Sequence, residues 1–405
     1  MIRINNNRFY FHIKSLFLIA LSFVAISTYA RAANSVDQEK KSLDITHTIK
    51  SRFPEMDRTV SVHLPPGYYE QSGARYPVLY ILDGENNLEF TTSAISFLAK
   101  GGQIPQIIIV GLHSDNNRGI DYPPNWAAAN SQGEQPVGAN LFLDYIEKEL
   151  LPFIDTSYRT TRFRLLSGHS LGGLFATYAM TQKPDLFAGH FAQSPALNRS
   201  IFEAFYTHLS TFLAQNPELE STYFITLGDE PNFAPNFNKV IALLEEKSPK
   251  NLAWNASFQA NRAHMETRMI GIYEAVERLF ASDWPLTRAA KSGNVSAHIK
   301  ALTAKYGIKA RYDSDAYAGA IQTLLSKRNI SAGTEMAKAF VAQYPKSAFA
   351  RFLIVNAHIM GKNNKEAIKE INIARKLIEE AGPEDRALQE LVAPLNQLEK
   401  RASRN

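Results

Sequence analysis

The stretch RFRLLSGHSLGGLFATYAM at residues 162–180 decides the fold. Its first half is a short apolar run typical of a buried strand, and the apolar residues of its second half recur at helical spacing. Between the two halves, Gly168 and Gly172 flank Ser170, which predicts a sharp strand-to-helix turn with no room for larger side chains at the two glycines. We therefore expect Ser170 to lie exposed at the end of a central strand, where the next helix begins.

Strand and helix signals alternate on both sides of this turn, from about residue 51 to residue 283. The alternation predicts a mostly parallel central sheet covered by helices, and together with the turn at Ser170 it predicts an α/β-hydrolase fold. The strand signals are TVSVHLPPGY (59–68), PVLYILDG (77–84), PQIIIVGLH (105–113), RFRLLSG (162–168), STYFITLGDE (221–230) and LAWNASFQ (252–259). The main helix signals are GANLFLDYIEKELLPFID (138–155) and GLFATYAMTQKP (173–184).

The strand signals stop after Pro285, and the rest of the chain reads as a succession of helices. We therefore predict a hydrolase domain at residues 33–288 and a helical domain at residues 289–405. Residues 337–383 resemble tetratricopeptide helix pairs. They lack the aromatic and glycine consensus positions of that repeat, so a plain helical bundle is an equal alternative.

Residues 1–32 have the organisation of a secretory signal peptide. Basic residues precede the apolar run SLFLIALSFVAI (15–26), small residues follow it, and we expect cleavage after Ala30 or Ala32. The alternative, a membrane anchor, is disfavoured because the run is shorter than the roughly 18–20 residues that span a bilayer. The sequence contains no cysteine, which excludes disulfides and lipid attachment through cysteine. We predict an exported protein, periplasmic or extracellular.

The net charge of +5 does not indicate nucleic-acid binding, because residues 1–32 alone carry four basic and no acidic side chains. Residues 33–288 hold 21 basic and 28 acidic side chains, whereas residues 289–405 hold 19 and 11. Such asymmetry usually marks separate domains and less often a docking surface. After residue 32 we find no metal-ligand cluster, phosphate-binding glycine loop or basic aromatic patch. No metal, cofactor or nucleic acid is therefore predicted.

A serine nucleophile at Ser170 would need a histidine base further along the chain and usually an acid between them. Among the five histidines that follow Ser170, His190 and His208 precede the late strands and two others lie in the helical tail. His264 lies in the loop NRAHMETR (261–268), between the last strand signal and a helix. We therefore predict His264 as the general base.

The predicted acid follows the late strand STYFITLGDE, which ends on the neighbouring carboxylates Asp229 and Glu230. Asp229 is preferred because it follows Gly228 directly and its shorter side chain suits a fixed hydrogen bond to imidazole. Glu230 is the alternative acid, and a Ser-His dyad with a loosely placed acid is a third reading.

Backbone N–H groups are predicted to stabilise the oxyanion. One belongs to Leu171, at the start of the helix after Ser170. The other comes from the loop after the strand PVLYILDG, where the N–H of Gly84 or of Glu85 can face the site. A simple turn at Asp83-Gly84 would account for the glycine equally well.

Five segments of the chain carry a family resemblance: PVLYILDG (77–84), NNRGIDYPP (116–124), FLDYIEKELLPFIDTSYRT (142–160), GHSLGGLFATY (168–178) and LFAGHFAQSPAL (186–197). They resemble the putative-esterase family of α/β hydrolases, which includes siderophore esterases, S-formylglutathione hydrolases, and feruloyl and acetyl-xylan esterases. The resemblance runs from about residue 49 to 279, is strongest to the siderophore-esterase branch, and implies an enzyme without metal or organic cofactor.

The resemblance also implies substrate contacts at Arg118 and Asp121, which match the first and last positions of the family's Arg-Thr-Arg-Asp run. Ile120 stands where that run has its second arginine, and Ala196 replaces the last serine of a Ser-Pro-Ser turn at Ser194-Pro195.

These patterns predict a secreted serine esterase that cleaves a small-molecule ester through an acyl-enzyme on Ser170. Two other readings are a hydrolase scaffold whose helical domain is a protein-interaction adaptor, and a serine peptidase on the same fold. Residues 289–405 are the predicted site of any protein partner or self-association.

Overall fold

The computed structural model describes residues 43–69, 73–124, 126, 138–291 and 294–403. The predicted signal peptide lies outside the described residues. Within these ranges the chain divides into two compact units. The first contains residues 43–285 and 300–310, and the second contains residues 286–299 and 311–403.

The first unit is built on one sheet, in which the described residues form eight strands in the order β1-β2-β4-β3-β5-β6-β7-β8. β1 and β2 are antiparallel to their neighbours, and the pairs from β4 through β3 to β8 are parallel. The strands are β1 (Asp44–Arg52), β2 (Glu55–His63), β3 (Tyr76–Leu82), β4 (Ile108–Leu112), β5 (Thr160–His169), β6 (Gly189–Gln193), β7 (Ser221–Leu227) and β8 (Leu252–Phe258).

Helices follow most of the parallel strands. Those of the first unit are α1 (Gly84–Lys100), α2 (Arg118–Asp121), α3 (Gly138–Tyr145), α4 (Leu151–Ser157), α5 (Leu171–Gln182), α6 (Arg199–Gln215), α7 (Ala234–Lys247) and α8 (Thr267–Ala281). A π-helical turn at Ile146–Leu150 joins α3 to α4, and a 3-10 turn at Pro184–Leu186 follows α5. The predicted α/β-hydrolase fold is thereby confirmed.

The central strands are continuous apolar runs because both faces of the sheet are covered. All residues of β3 and of β4 are buried, which is the pattern expected of parallel strands packed between helices. Val78, Tyr80 and Leu82 of β3 enter one large apolar cluster with α3, α4 and α5. A second cluster joins β6 and β7 to α6 and α7.

The strand signals identified β2, β3, β4, β5, β7 and β8, but not β1 or β6. β1 is an edge strand with the alternating sequence DITHTIKSR and an exposed face, so it lacks an apolar run. β6 is only five residues long and contains glycine, histidine and glutamine. Its pairing with β5 and β7, not its composition, makes it a strand.

The region after Pro285 is all-helical in its described part, as predicted. Helix α10 (Val295–Tyr306) continues into the segment that belongs to the first unit, where the Tyr306 ring packs against Phe163, Phe280 and Trp284. The other helices are α9 (Leu286–Lys291), α11 (Ser314–Ser326), α12 (Ile330–Gln343), α13 (Ala348–Met360), α14 (Asn364–Ala381), α15 (Arg386–Gln389) and α16 (Val392–Ala402).

The core of the second unit combines small, aliphatic and aromatic side chains. The buried residues of α14 are Ala367, Ile371, Ala374 and Ile378. The rings of Tyr317 and Phe340 stack with centroids 4.9 Å apart. The tetratricopeptide likeness stays a prediction. In the ranges that the structure covers, no helix is both long and apolar enough to cross a membrane.

Candidate active site

Ser170 occupies the predicted turn between β5 and α5. Its backbone has φ 58° and ψ −117°, a conformation that a non-glycine residue adopts only under strain and that is common at functional sites. A Cβ atom on Gly168 would lie 2.2 Å from the carbonyl oxygen of Gly172, so a side chain there would prevent the turn. The Ser170 N–H donates to the Gln193 carbonyl at 3.0 Å, which fixes the turn to β6.

The N-terminus of α1 forms the second predicted part of the site. Asp83 has left-handed backbone angles, and Gly84 begins the helix. A Cβ atom on Gly84 would lie 2.5 Å from the carbonyl carbon of Gly111 in β4, so α1 can approach β4 this closely only with glycine. The Glu85 carboxylate accepts hydrogen bonds from the Ser114 N–H and hydroxyl. Gly84 and Glu85 therefore lie at a fixed turn, and Leu171 lies at the start of α5.

His264 lies in the loop between β8 and α8, and its imidazole contacts the carboxylate of Glu230. The Nδ1 atom of His264 is 2.5 Å from Oε2 of Glu230. Because an ionised carboxylate can only accept, Nδ1 carries the proton, and Nε2 keeps the lone pair with which it can act as a base. The His264 side chain is about one-third exposed, whereas Glu230 is mostly buried, at 9%.

The structure corrects the preference for Asp229 as the acid. Asp229 is exposed, and its N–H donates to the Arg262 carbonyl at 2.7 Å. Its neighbour Glu230, the predicted alternative, turns into the site and contacts the imidazole. The longer side chain of Glu230 reaches His264, whereas the shorter side chain of aspartate was expected to suit this bond better.

Ser194 is a site residue that the sequence analysis did not select. It is fully buried, and its hydroxyl donates to Oε1 of Glu230, to which the Gly228 N–H also donates at 3.1 Å. Burial raises the pKa of Glu230, but the hydrogen bonds from His264 and Ser194 outweigh it and lower the pKa below its usual value. In the sequence, Ser194 was marked only by the pair Ser194-Pro195, which matches the start of the family's Ser-Pro-Ser turn.

Arg118 joins the turn after β3 to the end of β5. Its Nε atom donates to Oδ1 of Asp83 at 2.9 Å, and its Nη2 atom donates to the His169 carbonyl at 3.0 Å. The side chain is 34% exposed. These bonds use two of the five N–H groups of Arg118, so they fix the side chain beside Ser170 while the predicted substrate contact stays a prediction.

The structure contradicts the prediction that Asp121 binds substrate. Asp121 is buried and accepts two hydrogen bonds from Arg58, at 2.7 and 3.1 Å. Each partner's side chain is only 2% exposed. Neither carboxylate oxygen can reach a ligand without breaking a buried ion pair, which is strongly destabilising.

The site thus contains a serine in a strained turn, a histidine whose free nitrogen can accept a proton, and a buried carboxylate that holds the histidine. Helix N-termini at Leu171 and Gly84 provide backbone N–H groups of the kind that stabilise an oxyanion. Among the described residues, no cluster of three or more histidine, aspartate or glutamate side chains could hold a metal ion.

Known proteins resemble this chain in sequence and in fold. The family model described as "Putative esterase" matches residues 51–275. "Ferri-bacillibactin esterase BesA" of Bacillus subtilis is 32% identical over 145 residues, which cover 31% of this chain and 49% of that protein. "Siderophore triacetylfusarinine C esterase" of Aspergillus fumigatus is 33% identical over 136 residues, 30% of this chain and 44% of that protein. The chain therefore spans about half the length of these curated relatives.

Among solved structures, the crystal structure of an "IroE-like serine hydrolase" from Shewanella oneidensis superposes with a TM-score of 0.60 at 27% identity. The match covers 72% of this chain and 97% of that chain.

Proposed function

Because the chain belongs to the "Putative esterase" family, we propose that it is a serine esterase that hydrolyses a small-molecule carboxylic ester. The observation that carries the proposal is the hydrogen bond from His264 to the buried Glu230. The loop that contains His264 also contacts His169, the residue before Ser170. A carboxylate that holds a histidine in one tautomer is what a serine nucleophile requires of its base, and this supports the proposal.

The proposed reaction has two steps. The Ser170 hydroxyl attacks the ester carbonyl while Nε2 of His264 takes its proton, and the resulting oxyanion accepts hydrogen bonds from Leu171 N–H and from the Gly84-Glu85 turn. The alcohol leaves with the proton that His264 returns. Water then attacks the acyl-enzyme with His264 again as base, and releases the acid and free Ser170.

The class of ester is proposed from the relatives, two of which are named as siderophore esterases. A siderophore lactone is therefore the first substrate to test. The chain differs from the family run at Ile120, whose side chain is 62% exposed, and Arg118 is already bonded to Asp83 and His169. Because those bonds use two of its five N–H groups, Arg118 still has three with which to bind an anionic substrate.

The test is hydrolysis of a short-chain p-nitrophenyl ester and then of a panel of ferric siderophores, feruloylated sugars and acetylated xylan. Ser170→Ala should lower kcat by about 10⁴- to 10⁶-fold. The control is Ser210→Ala, on α6, whose hydroxyl contacts only the Lys247 side chain among the described hydrogen bonds. Equal rates in wild type and Ser170→Ala would refute the proposal, and cleavage of casein in place of esters would favour the peptidase reading.

We also propose that residues 1–32 direct export, on the strength of their sequence alone. Amino-terminal sequencing of the protein recovered from the periplasm or medium should begin at Arg31 or Ala33. A mature protein that retains Met1 and stays inside the cell would contradict export.

A further inference from the structure

His169 is a buried histidine beside the nucleophile that the proposed reaction does not use. It is 4% exposed, and its ring centroid lies 4.4 Å from that of His264. It is the last residue of β5, so it is bonded directly to Ser170. A histidine in this position is close enough to influence both the nucleophile and the base.

The contact of His169 with the base is a hydrogen bond to the main chain. Its Nε2 atom is 2.8 Å from the carbonyl oxygen of His264, and because a carbonyl only accepts, Nε2 must carry the proton. Burial foremost, and then the neighbouring His264, lower the pKa of His169 to about 3. The ring is therefore neutral at ordinary pH and holds one proton for this bond.

The carbonyl of His264 accepts a second hydrogen bond, from the Thr267 hydroxyl at 2.6 Å. Thr267 is three residues further along the chain, at the start of α8, so this bond acts locally at the end of the loop. The bond from His169 instead crosses from β5 to the loop. It fixes the base relative to the strand that carries the nucleophile.

We propose that His169 is a positioning residue whose Nε2–H holds the His264 loop at the distance that proton transfer from Ser170 requires. The inference rests on the proposed serine mechanism. Proton transfer is sensitive to distance, and a displacement of about 1 Å can cost about 10²-fold in rate.

Two variants of nearly equal size test the proposal. In His169→Gln the amide nitrogen stands as many bonds from Cα as Nε2 does and can still donate to the carbonyl, whereas His169→Met fills the space without a donor. Measured on a p-nitrophenyl ester with the full chain, His169→Met should lower kcat by about 10²-fold with little change in KM. His169→Gln should recover most of that loss. A thermal unfolding scan of both variants shows whether the fold is kept.

Equal kcat values for the Met and Gln variants, whether high or low, would overturn the proposal, as would a loss confined to KM. If His169→Met does not fold, His169→Asn replaces it, since its amide is one methylene too short to reach the carbonyl. An Asn variant as active as the Gln variant would then overturn the proposal. Failure of the serine mechanism is distinguished by Ser170→Ala: if that variant is inactive while His169→Met retains the wild-type rate, only the present inference fails.

Discussion

At the scale of single residues, the acid illustrates how neighbouring carboxylates acquire different roles. Asp229 and Glu230 are adjacent in sequence, yet one is exposed and the other is held by Ser194, Gly228 N–H and His264. The three donors stabilise the ionised form of Glu230 and so lower its pKa against the opposing effect of burial. Glu230 therefore stays ionised at neutral pH and can hold His264 in one tautomer.

Replacing the buried carboxylate should inactivate the enzyme without removing side-chain volume. Glu230→Gln offers an amide that can donate to Nδ1 and so favours the wrong tautomer, and we expect a loss in kcat of about 10²- to 10⁴-fold. Asp229→Asn is the matched control and should change kcat less than about threefold, because Asp229 is exposed. Steady-state kinetics of both variants provides the measurement. A larger loss of kcat in Asp229→Asn than in Glu230→Gln would show that Asp229 is the acid after all.

At the scale of secondary-structure elements, two helix N-termini are held at the carboxyl edge of the sheet by close backbone contacts. α5 begins at the turn that Gly168 permits, and α1 begins where Gly84 meets Gly111. These positions are where helix N–H groups can serve an oxyanion. Small displacements of either helix should therefore affect rate more than stability.

Gly84→Ala tests the α1 contact. Because the new methyl carbon would lie 2.5 Å from the Gly111 backbone, the start of α1 must shift away from β4, which displaces its backbone N–H groups. We expect kcat to fall by about 10²- to 10³-fold, the usual cost of one oxyanion donor. Gly319→Ala in α11 is the control, since its methyl group would meet nothing within 4 Å. Wild-type kcat in Gly84→Ala would exclude this turn from the oxyanion site.

Another buried histidine, His190 in β6, should make the free energy of unfolding depend on pH. His190 is fully buried, and burial lowers its pKa to about 3. In the unfolded chain a histidine takes up a proton near pH 6.5, whereas the folded protein does not. The unfolded state therefore binds more protons as the pH falls below that value, and stability is lost toward acid.

His190→Gln should reduce this acid sensitivity. Between pH 7 and pH 5 one such histidine accounts for about 2 kcal/mol of unfolding free energy, so the difference between the two pH values should shrink by that amount in the variant. Urea unfolding at both pH values measures the effect. An unchanged difference would mean that His190 titrates normally in the folded protein.

At the scale of the whole molecule, the boundary between the two units is not a single cut in the sequence. Residues 300–310 belong to the first unit, although residues 286–299 before them belong to the second. Tyr306 is 1% exposed, and its ring lies 5.1 Å from that of Phe280 and 5.8 Å from that of Trp284, centroid to centroid. Removing this segment would uncover buried aromatic surface.

Two truncations separate these contributions. A chain that ends at Ala310 should keep the stability of the first unit and hydrolyse esters, whereas one that ends at Arg288 should lose about 3–5 kcal/mol of stability with Tyr306. Light scattering of the longer truncation also tests the predicted self-association through residues 289–405. Tyr306→Ala in the full chain is the control and should reproduce the destabilisation. Equal stability of the two truncations would contradict this account of the segment.

Much of the fold follows from local patterns in the sequence. The buried strands are apolar runs, the turn at Ser170 is marked by its glycines, and the change to helices after Pro285 is a loss of strand signals. β1 and β6 were not predicted, because pairing with neighbouring strands, not side-chain composition, makes them strands. Local patterns cannot show a strand whose stability comes from its place in the sheet.

The sequence by itself determined the α/β-hydrolase fold, the placement of Ser170 at a strand-to-helix turn and the loop that carries His264, because each depends on residues near one another in the chain. Only the tertiary structure decided between Asp229 and Glu230, paired Asp121 with Arg58, and brought Ser194 and His169 to the carboxylate and the base. These contacts join segments far apart in sequence. Which side chain turns inward there depends on packing and burial that no local pattern records.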